Sequence, residues 1–117
     1  MMWGKMTNPY NQLSMGFSSD ANIERMRPES RGFNGKRLVG YTESHDEERL
    51  MYRNLQYGNS SNSNHNIKNL NTALSRMSAI GAVSLLIPGP KMIWHFGELG
   101  MQQSLNTCQD GSVGDCK

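Results

Sequence analysis

The chain has 117 residues, of which 12 are basic and 10 acidic, giving a net charge of +2, and 36 % are hydrophobic. That length fits one small domain. The even charge balance, with no basic stripe interleaved with aromatics, excludes a nucleic-acid footprint. The longest apolar stretch, 79–87, is broken by Gly81 and Ser84, well short of the roughly 18 uninterrupted apolar residues of a membrane span.

Apolar content is low beside the roughly 45–50 % of an average globular chain, a figure that counts a slightly different set of residues. Asn, Ser and Gly fill the difference, so the chain reads as a piece that needs neighbours. The opening MMWGKMTNPY has no apolar core of the kind a signal peptide carries. Residues 1–19 show no clear period and read as irregular. Ser19 or Asp20 is placed to cap a short helix over 21–26, with Glu24 as the capping-box partner and Pro28 as the stop. Residues 29–36 read as a polar turn region.

The run 37–42 (RLVGYT) is rich in β-formers and predicts a strand. Ser44 and Glu47 then match the S-x-x-E capping box, which predicts a helix over about 46–57. On that helix Glu47, Glu48, Arg49 and Arg53 read as a solvated face. Gly58 suits the position just past the helix end. The tract 58–66 (GNSSNSNHN) reads as a mobile surface loop, and Asn59-Ser60-Ser61 fits a glycosylation sequon, a pattern common by chance.

Ile67, Leu70, Leu74, Met77 and Ile80 recur at three- and four-residue steps, one apolar face of a helix. Beyond Ile80 the sequence is apolar on most sides, which predicts deep packing of the second half, and Pro88-Gly89-Pro90 stops the helix. The run 91–96 (KMIWHF) predicts a second strand. A helical crossover of this length fits two parallel neighbouring strands. The cysteines, Cys108 and Cys116, are spaced for a small disulfide loop, with two free thiols as the alternative. The histidines His45, His65 and His95 are scattered and there is no Cys-x-x-Cys, so no metal site is expected.

Two of these segments carry a family resemblance. Residues 38–46 (LVGYTESHD) resemble the motif that ends the seventh barrel strand of glycoside hydrolase family 13, the α-amylase family, often spelled E-N-H-D. Residues 88–101 (PGPKMIWHFGELGM) resemble the stretch across that family's eighth strand. The tract ESHDEERLMYRNLQYGN looks particularly like α-amylase-family enzymes of Bacteroidetes-type bacteria, and the resemblance covers about residues 10–117. It implies an α/β fold class: a partial (β/α)8 TIM barrel made of strands seven and eight with their connecting helices. In that reading 1–36 are the run-in from the strand-six region, 37–96 the strand–helix–strand unit, and 97–117 the loop after strand eight. A whole barrel takes typically about 250 residues, so the chain would supply about a quarter of one.

The resemblance implies retaining hydrolysis of α-1,4-glucans by the parent enzyme. Asp46 matches the aspartate that stabilises the transition state, and His45 the histidine that binds the same sugar. Retaining glycosidases need a nucleophile and an acid/base about 5–5.5 Å apart. No segment here matches the family's G-x-R-x-D or its strand-five Glu, so the chain alone is expected to be inactive. Ser44 stands where many members have Asn, a spelling shared with branching-type transglycosylases, so the parent could be a 1,4-α-glucan branching-type enzyme. A non-catalytic carbohydrate-binding or interaction module is the third reading.

The expected partners are an α-glucan and the rest of the barrel, with no nucleic acid and no membrane span. No cofactor is expected in this segment, calcium being an option for the parent, and the parent is expected to be secreted or periplasmic. Without the family match Asp46 would read as a helix first-turn acid, worth about 0.3–1 kcal/mol against the helix dipole. Glu43 could help orient the site, Glu98 matches the family's acid after strand eight, and Trp94, His95 and Phe96 read as barrel packing or a sugar-stacking platform.

Overall fold

The β-forming run does make a strand, β2, over Leu38–Gly40. Its partner is β1, Met2–Gly4, at the start of the chain. The two run parallel, with Met2 opposite Leu38, Trp3 opposite Val39 and Gly4 opposite Gly40. A Cβ on Gly40 would lie 2.9 Å from the Met26 Cε, so the end of the Met26 side chain would have to shift to admit one. The computed structural model describes residues 1–116.

Among the described residues three α-helices pack on one another. Helix α1, Thr7–Met15, buries Thr7, Tyr10, Asn11, Ser14 and Met15, a three- and four-residue spacing that puts them on one face. It ends at Gly16 in the left-handed region (φ 80°), whose N–H bonds the Leu13 carbonyl. Helix α2, Leu50–Tyr57, buries Leu50, Met51 and Asn54. Helix α3, Leu70–Leu86, starts at Asn69, whose side chain accepts from the Asn71 N–H at 3.0 Å. The core gathers Met6, Tyr10, Met26, Leu50 and Ile80, with Leu13, Ile23, Met77 and Ile87 packed against it. Polar ties cross the same interface. Ser14 Oγ donates to Asn54 Oδ1 at 2.8 Å, and the Arg76 guanidinium donates to the Leu13 and Ser14 carbonyls at 2.6 and 2.7 Å, satisfying the end of α1.

The strand seven–eight portion of a TIM barrel is not what the chain forms. The regular sheet has two strands, and β2 pairs with β1 rather than with a strand at 91–96. Of that segment Lys91 alone forms a bridge, a parallel one to Gly40. From there the backbone turns: Gly97 N–H bonds the Trp94 carbonyl, Gly100 N–H the Gly97 carbonyl and Met101 N–H the Phe96 carbonyl. Phe96 sits at φ 65°, a conformation no strand tolerates.

Other expectations are corrected too. Residues 1–19 are not irregular, since they hold β1 and α1. In place of a helix over 21–26 stand two short 3-10 turns, Glu24–Met26 and Pro28–Arg31. The second half of α3 is not deeply packed: Leu85 is 54 % and Leu86 83 % exposed. The polar loop is tethered at its ends, because Asn59 N–H bonds the Met15 carbonyl and Ile67 N–H bonds the Asn59 carbonyl. The two cysteines do form a disulfide, Cys108–Cys116, beside an antiparallel bridge between Thr107 and Val113.

Candidate functional site

Parallel strands point their C-terminal ends the same way, and the loops that follow them gather at one rim. Beyond β1 and β2 that rim encloses a groove of about 290 Å³ lined by Trp3, Lys5, Tyr41, Ser44, His45, Asp46, Glu47 and Met92. The S-x-x-E box predicted as a helix cap closes a turn here instead. Ser44 Oγ donates to the Glu47 carboxylate and accepts from the Asp46 N–H at 3.2 Å. This turn occupies 44–47, so α2 begins at Leu50 rather than at 46.

The turn presents the two residues that carry the family resemblance. His45 Nε2 lies 3.2 Å from Asp46 Oδ1, and both side chains are about 70 % exposed (70 % and 71 %). Lys5 pairs with Glu47 at 3.4 Å across the groove. Trp3 and Tyr41 meet edge to face, with ring centroids 5.8 Å apart. Burial, together with the neighbouring Glu47 and Asp46 carboxylates, pushes the Tyr41 phenol above its ordinary value.

Behind the rim lies a buried ion pair. Glu43 and Arg49 side chains are each 5 % exposed and approach to 3.3 Å. The other Glu43 oxygen accepts the Leu50 N–H at 2.8 Å, so Glu43 caps α2 from outside the helix. Arg49 also donates to the His95 carbonyl at 3.1 Å. Glu48 accepts from Ser104 Oγ and from the Leu105 N–H, the latter at 3.0 Å. The expected solvated face of Glu48 and Arg49 is therefore a set of tethers, drawing the 95–105 segment against the turn that carries His45 and Asp46. Burial raises the Glu43 carboxyl above the usual carboxylate range, a push the Leu50 N–H and Arg49 oppose.

Trp94 stands behind His45, centroids 5.6 Å apart, and continues as a row of rings through His95 and Phe96. Glu98 does not join His45 and Asp46. It lines a second groove of about 370 Å³, with Leu74, Met77, Leu85, Ile93 and Leu99, which is mostly apolar. Trp3, Lys5 and Tyr41 went unread as site residues in the sequence. Period-two alternation puts Trp3 and Lys5 on one face of an extended chain, but three strand residues are too short a signal to show it.

The groove offers a hydroxyl acceptor in Asp46, donors in His45 and Lys5, and aromatic faces in Trp3 and Tyr41. Its carboxylates are Asp46 and Glu47, the latter already engaged by Ser44 and Lys5. Among the described residues no cluster of three His, Cys, Asp or Glu side chains could hold a metal ion, and no helix is long and apolar enough to cross a membrane. The chain matches no family model and no curated protein sequence.

Proposed function

We propose that the chain carries part of the sugar-binding subsite of an α-amylase-type glycosidase, with Asp46 stabilising an oxocarbenium-like transition state and His45 holding the sugar. The observation that supports this most is the juxtaposition of His45 and Asp46, 3.2 Å apart and exposed, in a groove at the C-terminal rim of parallel strands. A carboxylate beside an imidazole suits paired hydroxyls, accepting from one and donating to the other. Such hydrogen bonds strengthen as the ring gains positive charge. They position and stabilise, and they do not replace a nucleophile. The disulfide fits an oxidising compartment, in keeping with a secreted or periplasmic parent.

The isolated chain should release no more reducing sugar from starch than an Asp46→Ala control. It should bind maltoheptaose, and Asp46→Ala should weaken that binding about tenfold or more, the scale of a lost hydrogen bond to a charged group. Starch hydrolysis above the Asp46→Ala level would overturn the inactive-alone account, and maltoheptaose binding indifferent to Asp46 would overturn the site. One observation favours a second reading, a non-catalytic carbohydrate-binding module: the chain encloses a core of its own around Tyr10 and Leu50. A cooperative melt of the isolated chain together with maltoheptaose binding is the behaviour that reading requires.

A further inference from the structure

Trp3 is 62 % exposed, yet it is carried by a hydrogen-bonded strand and braced edge-on by Tyr41, which is 5 % exposed. An exposed indole held this firmly keeps a large apolar face ready at little entropic cost. That face borders the groove holding His45 and Asp46. A pyranose ring has the matching duality: an apolar face of C–H bonds and an equatorial girdle of hydroxyls. The geometry points to Trp3 as the stacking wall of the sugar site, with Tyr41 as its brace and Lys5 as a donor on the same rim.

This assignment rests on the sugar-binding reading of His45 and Asp46 and adds the residue that grips the ring's apolar side. Strand alternation supports it, because Trp3 and Lys5 share a face and Trp3 pairs in register with Val39, two residues before Tyr41. All three side chains therefore rise on the groove side of the ladder. Placing the wall on a strand rather than a loop fixes its distance from the 44–47 turn.

The test is titration calorimetry of the 117-residue chain with maltoheptaose, alongside tryptophan fluorescence. Trp3→Ala should weaken binding about tenfold, and Trp3→Phe, which keeps an aromatic face, should stay within about threefold. Bound maltoheptaose should shift the emission of the wild-type chain, and the shift should shrink in Trp3→Phe, which removes the reporting indole while remaining folded. Wild-type affinity in Trp3→Ala, with binding lost in Asp46→Ala, overturns the stacking wall and leaves the His45–Asp46 site standing. No binding of maltoheptaose by the wild-type chain overturns both.

Discussion

Replacing Glu43 with Ala should lower the unfolding free energy by about 3–5 kcal/mol, the cost of stranding a buried partner charge. Glu43 and Arg49 are each 5 % exposed and 3.3 Å apart, so removing one carboxylate leaves a guanidinium with the His95 carbonyl as its remaining partner. It also uncaps the Leu50 N–H, which Glu43 accepts at 2.8 Å. Small domains are stable by only about 5–15 kcal/mol in total, so this one change should shift a urea midpoint far or abolish the folded baseline. Replacing both partners tests the cause. Glu43→Leu combined with Arg49→Met leaves no orphaned charge and should recover most of the loss. A Glu43→Ala cost below about 1 kcal/mol would mean the pair does not hold the turn.

The same carboxyl should leave a pH signature. Burial raises its pKa in the folded chain, so between the unfolded and folded values the folded state binds more protons than the unfolded one. Its contribution to stability is then greatest below the unfolded value and declines as pH rises through the folded value. Urea titrations in steps upward from the normal carboxylate range should show that decline in the wild type, and Glu43→Gln should flatten it.

The second large effect belongs to Leu50, which is 1 % exposed and sits in the core cluster with Met6, Tyr10, Met26 and Ile80. Leu50→Ala should cost about 2–5 kcal/mol, combining lost transfer energy with the cavity left behind. Leu50→Met conserves volume and should cost less than about 1.5 kcal/mol. Equal costs for the two substitutions in urea denaturation would place Leu50 outside the close-packed core. Leu50 is also the first residue of α2, so its backbone and side chain are fixed by different partners, Glu43 and the α1–α3 core. The Leu50→Ala and Glu43→Ala costs should therefore add imperfectly.

The parts of this fold readable from sequence are those where one local rule dominates. Helix α3 was legible because its apolar residues keep helical spacing over several turns, and Pro88 marks its end. Its packing was not legible, since apolarity on all sides reads as burial whether or not neighbours exist to cover it. Helix α1 was hidden because its buried face is half polar: Thr7, Asn11 and Ser14 lie inward beside Tyr10 and Met15. Strand β1 was hidden because three residues carry no period, and its partner lies far along the chain. The strand expected at 91–96 had the right composition, but Phe96 adopts a positive φ and successive turns follow. A capping box says only that Ser44 and Glu47 will bond locally; here they close a turn, and a long-range carboxylate caps the helix. At the site, His45 and Asp46 could be named from a motif, whereas the aromatic side of the groove needed the β1–β2 register to be known.

That register also bears on how the chain reaches its fold. Gly40 is a hub: its N–H bonds the Pro90 carbonyl and its carbonyl accepts from the Met92 N–H, while β2 takes β1 on its other side. Both pairings join segments distant in sequence, and neither strand belongs to a hairpin. Each requires closing a long loop before a single ladder bond repays it. The hydrogen bonds inside each helix are local, whereas the three-segment seam joins segments far apart in sequence, so the seam should close after helical signal first appears. Because the groove is bounded by residues from all three segments, the groove, and with it the sugar binding proposed for it, should be the last feature to form during refolding, lagging behind the recovery of helical signal.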